Sequence, residues 1–190
     1  MLRRTTELIE RHATPRGIAS AVAISLLCGV LPLSYALSRI RAGSPDAAPL
    51  DMASSYTPDQ AYTMLARYSA DARDYYVFNA FTADIVAPAL FGLTVALLSV
   101  ALLRPITAPG SRWRALAVLG ALAGLAADGI ENLLLATLVV RFPERHDGLA
   151  ELANLATIVK RSIIFSTWAF ALLAALALAL RRWTGPRRSQ

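Results

Sequence analysis

Cysteine occurs once, as Cys28 inside an apolar run, so no internal disulfide, Cys-x-x-Cys redox pair or thiolate metal site can be built. Histidine is nearly as scarce. His12 and His146 both stand in polar segments, which removes the axial pair a membrane b-type haem would require. No Gly-x-Ser-x-Gly, His-Glu-x-x-His or phosphate-loop pattern is present, and neither a metal nor a cofactor is expected. Among 19 cationic residues only Lys160 is a lysine, a bias that codon usage explains but that sets Lys160 apart. No internal repeat, heptad series or low-complexity tract stands out beyond the alanine and leucine of residues 170–180.

Apolar residues are plentiful instead. They make up 56% of the chain, with a mean hydropathy of +0.48, above the roughly 45–50% of soluble domains. The net charge of +6 comes from short basic clusters flanking apolar runs rather than from one polar face, which argues against a nucleic-acid partner. A bilayer core of about 30 Å needs around 20 apolar residues at 1.5 Å rise each. Four runs are long enough, at about 17–38, 76–103, 113–140 and 155–180. The expected fold is therefore all-α, a four-helix transmembrane bundle in the lipid bilayer. Its membrane domain covers residues 17–182, between a basic tail at 1–16 and a second tail at 183–190.

Cytoplasmic loops hold the excess of Lys and Arg. Eleven cationic residues fall in the two tails and the loop between runs two and three, including Arg104, Arg112 and Arg114, against eight opposite, which are mixed with acids. Both termini are thus expected in the cytoplasm of a bacterial inner-membrane protein. The first run exceeds a secretory h-region and lacks a clean Ala-x-Ala site, so it is read as an uncleaved span. The outer loop at 39–75 opens with the turn residues Gly43, Ser44, Pro45 and Asp46. Thr57-Pro58-Asp59-Gln60 then predicts an N-cap, and Ala61, Met64 and Leu65 recur at helical spacing. A short amphipathic helix folded over the bundle mouth follows from these signals, with Ser69 or Asp71 capping the second span.

Ionisable residues interrupt three of the runs. Asp128, Glu131 and Asn132 are spaced by three and four residues, so one face of the third span carries them. On the same face lie Gly124, Gly120 and Ala117, a small-x-x-x-small series that admits a neighbouring helix. Counted from flanking arginines at 1.5 Å per residue, Asp128 lies about 21 Å deep, Glu131 about 25 Å, and Asp84, Lys160 and Arg161 about 30 Å. A carboxylate there costs about 2.5 to 3.5 kcal/mol and needs a counter-charge or a proton. Asp84, Asp128, Glu131 and Asn132 are accordingly expected to form a buried network with Lys160 and Arg161, which is also the candidate ligand site. Arg73, Tyr75, Tyr76 and Asn79 are expected at its outer rim. Pro32 and Pro88 are read as helix kinks, Cys28 as a small core residue, and Trp113 and Trp183 as interfacial belt residues.

Arg73-Asp74-Tyr75-Tyr76, then Asp84 and Pro88, Asp128-Gly129-Ile130-Glu131-Asn132 and Lys160 together resemble an uncharacterised group of small bacterial four-span membrane proteins. The resemblance runs from about Thr57 onward, departs where this chain has Ala72-Arg73 instead of Gly-Arg, and implies no activity. Three functions fit the residues: a small proton- or cation-coupled carrier, an interaction, scaffold or sensor subunit, and a lipid- or isoprenoid-modifying enzyme. A second copy of the chain or a membrane protein is the expected partner.

Overall fold

The computed structural model describes residues 1–42 and 48–184. The expected turn at 43–46 and the tail residues 185–190 lie outside them. All regular structure among the described residues is helical: α1 (Leu2–His12), α2 (Pro15–Arg41), α3 (Pro58–Ala66), α4 (Ala70–Ala80), α5 (Ala83–Leu103), α6 (Arg112–Arg141) and α7 (Asp147–Thr184), with a 3-10 turn at Leu50–Met52. Four helical columns are long and apolar enough to cross a membrane: α2, α4 continued by α5, α6 and α7. Successive columns run antiparallel, so the two ends of the chain share one face, called here the terminal face; the opposite one is the distal face.

Start signals act where the sequence placed them. Thr14 accepts a hydrogen bond from the Gly17 amide at 3.1 Å, with Pro15 opening α2. Thr57 and Gln60 form a reciprocal capping box at the start of α3, and Ser69 caps α4 through the Ala72 amide. The outward surfaces of the columns are apolar, with Leu31, Phe165, Leu172 and Leu173 all more than half exposed. Continuous apolar surface of this extent requires lipid around it.

Packing runs α2 against α5, α5 against α6 and α6 against α7, with α5 also touching α7, so the second column meets all three others and α2 lies at the edge. The small residues of α6 meet α7 as expected: a Cβ on Gly120 would stand 2.9 Å from Thr167 Oγ1, too close for any side chain there. Two apolar clusters result. One, near the distal face, joins the 3-10 turn, α3 and α4 to Leu135, Leu138 and Val139 of α6 and to Ala150 and Ala153 of α7. The other, near the terminal face, joins Ala13 and Ala21 to Leu97, Val100, Leu103, Ala117, Val118 and Ala174. Residues 128–132 of α6 fall between them.

Three features differ from expectation. The basic tail folds as α1 and packs across the terminal ends of α5 and α6. There Arg114, read in the sequence as a boundary marker, is only 4% exposed. It pairs with Glu10 at 3.2 Å and donates to Thr107 and to the Arg104 carbonyl, because a guanidinium removed from water must fill its donors. The second column, capped by Ser69 as expected, is not one continuous helix but is broken at Phe81–Thr82. The fourth begins at Asp147; at 38 residues and about 57 Å it is far longer than a bilayer core, and its first turns belong to the distal cap.

Candidate functional site

Asp128 and Glu131 occupy one face of α6 near its midpoint, turned toward α7. Both are buried, at 6% and 0% exposure. Lys160 answers from α7: its Nζ is in ion contact with Glu131 Oε2 and lies 3.4 Å from Asp128 Oδ1. One lysine thus serves two carboxylates, holding Glu131 closely and Asp128 at a distance longer than a good charge-assisted bond. Both Glu131 oxygens are buried, with the Thr157 hydroxyl as a further neighbour of the carboxylate.

Asn132, one turn beyond Asp128, bridges to the second column. The two N–H groups of its Nδ2 serve three acceptors, one of them shared: Asp128 Oδ2 at 3.3 Å, the Ala80 carbonyl at 3.3 Å and the Asp84 carbonyl at 3.2 Å. The last contact has a local cause. In a regular helix the Asp84 carbonyl would accept from residue 88, but residue 88 is proline and has no N–H. Pro88 therefore does more than kink α5. It exposes a carbonyl that a neighbouring helix must satisfy, and Asn132 does so.

The 3-10 turn closes the distal side of this layer. Tyr76 donates its hydroxyl to Asp51 Oδ1 at 3.0 Å, and Tyr68 donates to the Ala48 carbonyl at 2.6 Å. The Tyr56 amide donates to Asn154 Oδ1 at 2.8 Å, and Arg161 donates to the Ala53 carbonyl at 3.3 Å. The loop is thereby tied to α4 on one side and α7 on the other. Burial pushes the Tyr56 phenol up to about 12 and the Tyr68 phenol higher still, so both remain neutral donors at physiological pH.

Small cavities surround the layer. Asp51, Tyr76, Asn79 and Asp84 line one of about 20 Å³, roughly one water. Asn79 and Asp84 also line a cavity of about 220 Å³ between α2 and α5. Asp128 stands at the edge of another, of about 280 Å³, enclosed by α5, α6 and α7.

Of the residues singled out in the sequence, Asp128, Glu131, Asn132 and Lys160 meet directly, and Asp84 joins through its backbone carbonyl, which Asn132 meets. Arg161 does not enter the network. Its guanidinium turns to the loop carbonyl of Ala53 and makes no ion pair among the described residues, since one position along α7 rotates a side chain by about 100°. At the rim, Tyr76 and Asn79 reach the site, whereas Arg73 and Tyr75 do not. Arg73 donates to the Tyr68 carbonyl at 2.6 Å and lies 5.0 Å over the Phe142 ring, while Tyr75 packs edge-on against Tyr35 of α2 at 5.7 Å.

Two contributors escaped the sequence reading. Asp51 sits in an irregular loop with no periodic signal. Thr157, buried one turn from Lys160 on the same face of α7, was marked only by that spacing. No family model matches the chain, no curated protein matches its sequence, and no solved structure matches its fold.

Proposed function

We propose that this chain is a small proton-coupled carrier of the bacterial cytoplasmic membrane, with both termini in the cytoplasm, and that the acid and lysine layer is its coupling site. The supporting observation is an imbalance of charge in a buried place. Asp128 and Glu131 share one lysine, while Asp84 and Asp51 border the same layer without an ion pair among the described residues. Glu131 itself is fully buried, with Lys160 as its one ion-pair partner among the described residues. Carboxyl groups in such surroundings need protons or cations taken up from outside.

Helix gluing alone would be served by one carboxylate per lysine, whereas Asp128, Glu131, Asp84 and Asp51 stand in or beside a layer that holds a single lysine. The orientation rests on the arginines concentrated in the terminal segments and at residues 104–114. Four columns are few for a transport path, so the working unit is a homodimer. Membership in the bacterial four-span group is part of the same proposal.

Proteoliposomes containing a pH-sensitive dye and given a proton gradient test this directly. Internal quaternary ammonium ions, which carry no exchangeable proton, should speed collapse of the gradient with the wild type and not with Glu131→Gln. Rates equal to those of empty liposomes across a panel of such ions would end the carrier reading.

A further inference from the structure

The cavity of about 280 Å³ beside Asp128 differs in kind from the one-water cavity lined by Asp51 and Asp84. Gly92 of α5 and the small residues Gly120, Ala121 and Gly124 of α6 line it. A Cβ on Gly124 would meet nothing nearer than 3.9 Å, so part of the cavity is open there. Phe91, Ile164 and Trp168 stand at its border and are 40–45% exposed on the outer surface, where α5 and α7 face lipid. The cavity is thus reached from the side, out of the bilayer. Thr167 spends its hydroxyl on the Ile163 carbonyl at 2.8 Å, which leaves Asp128 as the single charged group on the wall.

Size, wall and charge each narrow the occupant. An apolar cavity of about 150 Å³ holds a benzene ring, so this one has space for about a dozen non-hydrogen atoms. The wall selects an apolar body, since a polar one would lose its hydrogen bonds to water on entry. The charge selects a cation, because carboxylates outnumber lysine in the adjoining layer. A hard metal ion is disfavoured: it demands several oxygen ligands, and no group of three or more His, Cys, Asp or Glu among the described residues is arranged to hold one.

We infer that this cavity is a lateral binding site for a membrane-dissolved organic ammonium ion, whose short alkyl body fills the space between α5, α6 and α7 and whose cationic head faces Asp128. Lys160 stays with Glu131, its closer partner, while the more distant Asp128 carboxylate turns to the incoming cation. As a transported substrate this ligand rests on the carrier proposal; as a ligand it does not.

The probe is octyltrimethylammonium, which has the required size, titrated calorimetrically into the full chain in lipid nanodiscs. Saturable binding is expected, at least about tenfold tighter than that of 1-decanol or decanoate, the two analogues lacking the positive charge. Gly124→Leu and Ala121→Leu fill the cavity without removing a charge and should abolish binding, as should Asp128→Asn. A measurement independent of any variant's folding uses the wild type: a spin-labelled alkylammonium should quench the fluorescence of Trp168. Absence of saturable binding, equal affinity for decanoate, or binding unchanged in a folded cavity-filling variant each overturns the site. Binding without gradient collapse leaves the site standing and removes the carrier reading, whereas collapse without octyltrimethylammonium binding does the reverse.

Discussion

Replacing Lys160 by methionine removes the cation shared by Glu131 and Asp128 while keeping most of its apolar stem. Glu131 is fully buried and Asp128 nearly so, and the lysine side chain is itself only 11% exposed, so solvent cannot take over the lost role. Breaking a buried pair by deleting one partner costs about 3 to 5 kcal/mol, because the remaining charge stays in low dielectric without compensation. The loss in Lys160→Met should therefore be about that large. Neutralising the stranded acids in the triple variant Lys160→Met, Glu131→Gln, Asp128→Asn should return most of it, since replacing a whole buried ion pair is often neutral or stabilising. Reversible unfolding in mixed micelles, followed by helical circular dichroism against denaturing detergent, measures both differences. A single-variant loss below about 1 kcal/mol, the range of exposed ion pairs, would show that Lys160 is not the buried counter-charge described here. A triple variant no more stable than the single one would refute the assignment of the cost to stranded carboxylates.

Three further outcomes follow from named contacts. Asn132→Leu should destabilise by about 1 to 3 kcal/mol by orphaning the Asp84 and Ala80 carbonyls, and Pro88→Ala, which restores an N–H at residue 88, should reduce that cost in a double-mutant cycle. Gly120→Val should cost about 1 to 3 kcal/mol by forcing α6 away from Thr167, while Gly129→Ala, with nothing within 4 Å, should be stable in the same unfolding assay. Ultraviolet titration of the wild type against Tyr56→Phe should show one phenol ionising only at about 12 rather than 10.0. Because that value is raised in the folded state, the stability linked to it is complete below pH 10 and is lost as pH climbs to about 12, and Tyr56→Phe should lack this loss.

Much of the bundle could be read from local signals, since span length, flanking arginines and the Thr57 capping box each act within a few residues of chain. The triplet Asp128, Glu131 and Asn132 was equally legible, because a spacing of three and four puts side chains on one helix face whatever surrounds the helix. Lys160 stood out by being the sole lysine within an apolar run. Its neighbour Arg161 did not separate from it, because depth counting measures height along an axis and carries no information about rotation around it. Arg73 and Tyr75 fell to the same ambiguity beside Tyr76. Arg114 looked like a topology marker until α1 folded over it, although Leu2, Ile9 and Ala13 recur at helical spacing and supply the apolar face that packs there, a signal hidden among the basic residues of the tail.

By itself, then, the sequence determined that the chain consists of four membrane-length helices and that one of them presents carboxylates inward, because hydrophobic length and helical period are properties of a segment alone. Tertiary structure decided which cation answers those acids, that Asp51 closes over them, and that a carbonyl exposed by Pro88 is met by Asn132. Each of these depends on the rotation and offset of one helix against another. Those are set by the small residues at the contact and by the need to satisfy every polar group removed from water.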